Sequence, residues 1–339
     1  MLLAYADDIV ILSDSLAMMK QILKALFKYC KINKLFVNVK KTNLLVFSKG
    51  GRSHRGSKFY FGNEEIEKVK EYVYLGIPFV RSALFECASN NMFKKGMIAV
   101  DSTLRLIKNT KISSWGKVDL LFDSLIASTV LYSSPFWCVN YLPILEKLQC
   151  TFFKKILNLP SCTPGYAVRL EVNRCHISLK IFKLILNWIN SIILMPNNRY
   201  PKIVFLKLTE LSKRPDCILK YNWISLIKKH FFEPIGELEI WNNIGTFTIS
   251  ESRNNLLSEF SYYLKSLDFD SRIHSSSLLL YPNIEYSINN NWISLENKAF
   301  ITQLKLMNVY NNRLIINNKI YILDKKCICE YCNLNETKI

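Results

Sequence analysis

Acidic residues are scarce in this chain: 27 Asp and Glu stand against 45 Lys and Arg, a formal net charge of +18 over 339 residues. That imbalance exceeds what solubility requires and calls for a polyanionic partner, nucleic acid first and an anionic membrane second. Long apolar runs are also missing. The best candidate, Ile181 to Met195, is short and broken by Lys183, Asn187 and Asn190, so no membrane span is expected. No secretory leader is visible, because Asp7 and Asp8 fall where its apolar core would lie. The ten cysteines form no regular framework and, without an export signal, read as reduced thiols in an intracellular protein. No internal repeat of fixed period is present. Charged residues are only 21% of the chain and apolar ones 50%, so a sizeable core is available and global disorder is excluded.

What is present begins almost at the first residue. Tyr5-Ala6-Asp7-Asp8 lies between the apolar runs Leu2-Leu3-Ala4 and Ile9-Val10-Ile11-Leu12, the pattern of a β-hairpin with the acids at its tip. Two carboxylates ~4 Å apart repel by about 1 kcal/mol in water and by several-fold more at a partly buried surface. A divalent cation relieves that repulsion, and oxygen ligands from Asp suit Mg²⁺. Paired acids of this kind clamp two ions roughly 3.5–4 Å apart in phosphoryl-transfer sites. The competing reading is an acidic turn facing solvent.

Downstream, Ser13 or Asp14 caps an amphipathic helix with Leu16, Met19, Leu23, Leu26, Phe27 and Cys30 on one face and Lys20, Lys24, Lys28 and Lys31 largely off it. Short strands are expected at Leu35 to Val39 and Leu44 to Phe47, with Asn38-x-x-Lys41-Thr42 between them. A basic, glycine-broken loop, Lys49 to Lys58, offers Lys49, Arg52, Arg55 and Lys58 either to phosphates or simply to solvent. Phe59 to Asn63 turns back into Glu64 to Glu67 as a hairpin and leads to Tyr72-Val73-Tyr74-Leu75-Gly76-Ile77-Pro78. From Ala83 the spacing turns helical: Phe93, Met97, Val100, Leu104 and Ile107, then Val118, Leu121, Phe122, Leu125, Ile126 and Thr129 after a Trp115-Gly116 break. A helix follows at Leu142 to Leu157, another starts with Pro164 at its first position, and Leu179 to Leu194 reads as buried. Beyond Pro201 the chain is mainly helical. The fold class is α+β.

At this point the residues resemble a known family. Tyr5-Ala6-Asp7-Asp8 resembles the reverse-transcriptase motif whose two acids hold catalytic Mg²⁺. Asn38-Val39-Lys40-Lys41-Thr42 is similar to the next motif, Gly-Leu-x-x-Asn-x-x-Lys-Thr, with Lys34 in place of its Gly and Leu35 as expected. Tyr74-Leu75-Gly76 resembles the hairpin that grips the primer end. Leu131-Tyr132-Ser133-Ser134-Pro135-Phe136-Trp137 and the helix leading to Leu159-Pro160 and Thr163-Pro164 resemble non-LTR (LINE-type, jockey-like) retrotransposon enzymes rather than group II intron maturases. Cys329-x-x-Cys332 followed by Asn335-Glu336-Thr337 resembles the opening half of that family's C-terminal knuckle.

The resemblance implies the C-terminal part of a palm at 1–82, a helical thumb at 83–160, a mainly helical linker at 161–326 and a truncated Cys-rich knuckle at 327–339. It implies Asp7 and Asp8 as metal ligands, the first principal and the second subsidiary. Lys41 is implied as general acid or electrostatic partner of the departing pyrophosphate, against a plain solvated lysine. Tyr74, Leu75 and Gly76 are implied to position the primer. Partners would be an RNA template and DNA primer, or the RNA–DNA duplex, in a nuclear or cytoplasmic ribonucleoprotein. A Zn²⁺ site within this chain is not expected, since none of the four histidines follows Cys329 and Cys332. The family's third carboxylate, its fingers and its nucleotide-selecting helix find no counterpart between Met1 and Ala4, so the isolated chain is expected to be inactive. The alternative is a basic nucleic-acid-binding protein, or a retroelement relic, without chemistry.

Overall fold

The computed structural model describes residues 1–52, 57–242, 249–273, 294–305, 313–316 and 319–322. Small β-hairpins and one long helix come first and a mainly helical region follows, α+β as a whole. The chain divides into two compact units, 1–88 and 89–339.

In the first unit, β1 (Leu2–Tyr5) and β2 (Asp8–Ile11) pair antiparallel, with Leu2 opposite Ile11 and Tyr5 opposite Asp8. Helix α1 (Leu16–Ile32) starts one residue after the expected caps: Ser15 Oγ accepts from the Met18 amide at 3.1 Å. Its apolar spacing works as expected at Leu23 and Cys30, which bury against Phe59, Phe61 and Ile66 with Leu16, Met19, Leu26, Val37, Val39 and Leu44 around them. Phe27 stays partly exposed but crosses Phe61 edge-on at 5.3 Å.

Next come β3 (Asn43–Leu45), β4 (Tyr60–Phe61), β5 (Glu64–Glu65), β6 (Glu67–Val69), β7 (Glu71–Tyr74) and β8 (Ile77–Val80). Strand β3 runs parallel to β6, while β4–β5 and β7–β8 are hairpins. The strand expected at Leu35 to Val39 does not form. Lys34 turns left-handed at φ 54°, and Asn38 and Thr42 tie the following residues into a 3₁₀ turn, Val39–Lys41, so the backbone groups needed for pairing are used locally. Phe36 is left 99% exposed.

The second unit opens with α2 (Glu86–Asn109), whose first residues belong to the first unit. Then α3 (Trp115–Leu121), a π-helical stretch (Phe122–Ala127) and α4 (Ser128–Val130) run on from one another. Trp115-Gly116 is thus the first turn of a helix rather than a break; Ser114 precedes it in extended conformation, and Trp115 is buried. The extra residue in the π turn brings Phe122, Ile126 and Val130 inward and leaves Leu125 41% exposed. There follow α5 (Ser134–Trp137), α6 (Leu142–Ile156), α7 (Gly165–Val172), α8 (Ser178–Leu194), α9 (Tyr200–Ser212), α10 (Trp223–Ile227), α11 (Leu238–Asn242), α12 (Ile249–Ile273) and α13 (Leu295–Lys305). A last hairpin, β9 (Arg313–Ile316) with β10 (Lys319–Ile322), adds a strand pair to this mainly helical region.

Pro164 caps α7 with ψ 141° instead of occupying its first turn. Helix α8 is buried along Ile181, Phe182, Ile185, Leu186, Ile189 and Ile192, and no helix among the described residues is long and apolar enough to cross a membrane. Aromatics fill two regions of this core: Trp115, Phe122, Phe152 and Phe153 in one, Phe182, Phe231, Phe232, Phe260 and Trp241 in the other. The seven cysteines among the described residues are all free thiols.

Candidate functional site

Pairing Tyr5 with Asp8 leaves Ala6 and Asp7 as a two-residue turn, so Asp7 sits in the turn and Asp8 opens β2. Ala6 takes φ 52° and Asp7 does not go left-handed. That φ pattern is the one of a type II′ hairpin turn, whose first position prefers glycine. An alanine there is strained by about 1–2 kcal/mol. Both carboxylates are exposed. Mg²⁺ is commonly held by one or two carboxylates, with water and substrate phosphates completing its shell. Asp7 and Asp8 fit that partial role. They do not fit a closed protein site, since no group of three or more His, Cys, Asp or Glu gathers to hold a metal among the described residues.

The second motif is a turn built by its own side chains. Asn38 Oδ1 accepts from the Lys41 amide at 3.2 Å, and Thr42 Oγ1 donates to the Asn38 carbonyl at 2.9 Å. Lys41 ends this turn with its side chain exposed. In the third motif Leu75 and Gly76 are the two-residue turn between β7 and β8, at φ 46° and 79°. Two successive left-handed residues make a type I′ turn. Gly76 therefore serves the turn itself, and Leu75 carries strain that a bulky side chain rarely accepts. Tyr74 is half-buried at the end of β7.

In the basic loop, Lys49 and Arg52 are exposed; Ser48 anchors the segment through its amide to the Arg81 carbonyl and its hydroxyl to the Arg52 carbonyl. Lys58 is paired with Glu65 at 3.0 Å, which raises its pKa, so its charge is partly matched within the chain. Arg55, Cys329 and Cys332 lie outside the described residues.

The second unit holds features that lie outside the three sequence motifs. Helices α2 and α6 carry exposed Lys94, Lys95, Arg105, Lys108, Lys147 and Lys155; their exposed acids are Glu86, at the start of α2, and Asp101, paired to Lys155 at 2.8 Å. The signal was legible, because Lys94, Ile98, Asp101, Arg105 and Lys108 recur at one helical face. Gly96 brings α2 close to its neighbours: a Cβ there would stand 2.6 Å from both Leu148 and Val130.

Inside the unit, Arg169 binds Glu146 at 2.8 Å and grips Asp268 with two nitrogens. Burial works against the Arg169 charge, but Asp268 and Glu146 outweigh it and keep the guanidinium protonated. Glu146 also accepts from the Ile177 amide at 2.8 Å. Arg174 joins Asp119 and Asp123 and lies over the rings of Phe122 and Phe153 at 4.8 and 5.4 Å. These partners are separated by up to 99 residues, so no local spacing foretold them.

Residues 1–79 match the family model described as reverse transcriptase (RNA-dependent DNA polymerase). A reverse transcriptase domain occupies this stretch. It spans all three sequence motifs, from the Asp7-Asp8 turn to the Leu75-Gly76 turn. No curated protein and no solved structure matches the chain.

Proposed function

We propose that this chain is part of the RNA-directed DNA polymerase of a non-LTR, LINE-type retrotransposon of the jockey-like kind, and that Asp7 and Asp8 are its metal-binding acids. One observation carries the reading: the adjacent carboxylates stand exposed where a strained two-residue turn meets β2, inside the reverse transcriptase domain. Mg²⁺, when bound, stabilises charge on the attacking and leaving oxygens of nucleotidyl transfer. The chain's own residues hold and aim. Asp7 is the principal ligand and Asp8 the second. Lys41 faces the departing pyrophosphate, with Asn38 fixing its backbone. The Leu75-Gly76 turn, with Tyr74, positions the primer end.

The second unit serves as thumb and linker. Its α2 and α6 cations contact the phosphates of the template–primer duplex, which fits the predominance of lysine and arginine there. Segments 131–137 and 159–164 support the LINE-type assignment by resemblance, as does Cys329-x-x-Cys332.

These 339 residues supply two of the three carboxylates that the resemblance implies, so the polypeptide by itself gives no Asp7-dependent primer extension on an RNA template. Robust extension that Asp7→Ala abolishes would refute this expectation. The metal reading is tested separately with Mn²⁺ as paramagnetic probe. The amides of Ala6 to Ile9 broaden first, and Asp7→Asn with Asp8→Asn removes the effect; broadening that is no stronger there than elsewhere overturns it. A second reading, a nucleic-acid-binding protein without chemistry, is favoured by the exposed cations of α2 and α6, which need no carboxylate. Binding that survives Asp7→Ala and Asp8→Ala, without metal effects at the turn, supports it.

A further inference from the structure

The segment 131–137 has no task in the polymerase reading, yet it builds an aromatic surface. Ser133 turns left-handed at φ 52° and starts the short helix α5, with Pro135 in its first turn. Trp137 points inward, 1% exposed, and donates its Nε1 hydrogen to the Tyr132 carbonyl at 2.9 Å. Its neighbour Phe136 points out and remains 46% exposed. The Phe136 ring lies 5.3 Å from Trp188 of α8, at 71°, and 6.4 Å from Trp223 of α10, at 22°. Trp223 in turn donates to the Pro135 carbonyl at 2.7 Å, which fixes the indole plane. Phe136 is thus a braced ring that is nearly half exposed, and ordering it on binding costs little. Tyr132, 51% exposed, precedes it in the same turn.

The segments that carry these rings are basic in sequence, with Asp216 and Glu233 flanking the last of them. Residues 128–141 carry no charged side chain, and neither α8 nor residues 217–232 contain an acid. Those two stretches hold Lys180, Lys183, Lys220, Lys228 and Lys229. Lys180 is engaged by Asp123, and Lys220 lies over the Tyr221 ring at 5.2 Å. An exposed ring carried on segments with more cations than acids suits an anionic ligand that also offers flat rings.

We propose that Phe136, braced by Trp188 and Trp223, is a stacking site for an unpaired base of single-stranded nucleic acid. The proposal rests on the nucleic-acid partner inferred above and adds to it a second, strand-selective contact. A single strand can place a base on the ring while its phosphates meet the lysines; a duplex keeps its bases stacked on one another and gains nothing from Phe136.

The test uses the full chain and three fluorescent probes of about 15 nucleotides: a single-stranded RNA, the same strand with abasic residues, and a duplex. Phe136→Leu keeps the apolar volume and removes the ring, and Phe136→Trp keeps a ring. Phe136→Leu is expected to weaken binding of the single strand about five- to tenfold while leaving the abasic strand and the duplex within about twofold. Phe136→Trp is expected to bind as the parent does. Equal loss on the abasic strand, no loss on the single strand, or a shift of a monomer–dimer equilibrium by Phe136→Leu in sedimentation would each overturn the proposal. If the parent chain binds neither strand nor duplex, the nucleic-acid reading fails with it; if it binds both and Phe136→Leu is silent, the stacking site alone fails.

Discussion

Leu75 accepts φ 46° in a turn where glycine, asparagine or aspartate would sit without strain. Leu75→Asn should therefore stabilise the β7–β8 hairpin by about 1 kcal/mol, read as slower hydrogen exchange at the Tyr74 and Ile77 amides. In the polymerase reading the same change weakens the primer contact, so gain in order and loss of function would come from one substitution. The cysteines give a second residue-scale expectation. Burial, then the nearby Glu146, pushes the Cys150 thiol up to about 12, and burial likewise raises Cys138. Cys162 is exposed. Among the seven described cysteines, a maleimide near neutral pH should label Cys162 first and leave Cys150 and Cys138 unmodified until the chain unfolds. The Asp7-Asp8 turn was legible in the sequence because flanking apolar runs and two acids define a hairpin locally. The left-handed Ala6 and Leu75 were not, because neither residue type advertises that conformation.

Among the elements, α6, α7 and α12 are joined by one buried ionic clasp, Glu146–Arg169–Asp268. Arg169→Ala leaves two buried carboxylates without their cation and should cost about 3–5 kcal/mol, measured as a lower urea midpoint. Replacing all three with apolar residues should cost far less. His176 adds a pH dependence. Burial lowers its pKa below 6.5, and Arg169 adds to that while Glu146 and Asp268 pull it back up. The folded state then binds the proton more weakly than the unfolded chain. Stability from this residue is full above about 6.5 and falls as the pH drops through that value toward the lowered one, levelling off below it. His176→Gln should flatten that part of the stability profile. Helix α8 and the apolar face of α1 could be read from spacing alone. The strand missing at 35–39 could not, since hydrophobic alternation says nothing of Asn38 and Thr42 capturing the backbone first.

For the whole molecule, the excess of 18 positive charges is what the nucleic-acid reading turns on. Affinity for a duplex should fall linearly with log salt concentration, and Lys94→Ala or Arg105→Ala should each reduce the slope by about one while weakening all sequences alike. Fluorescence titrations at several salt concentrations check this. Composition gives the sign of the charge, and the helical spacing of Lys94, Arg105 and Lys108 already placed part of it on one face of α2.

Gly96 then acquires a meaning beyond packing. Leu148 and Val130 are fully buried and have nowhere to retreat, so the missing Cβ works as a gauge that holds the cations of α2 at a set spacing from those of α6. Gly96→Ala would spread the two rails without altering a single charge. A phosphate backbone has a fixed repeat, so affinity lost in that variant, at unchanged net charge and helicity, would report on spacing rather than on attraction.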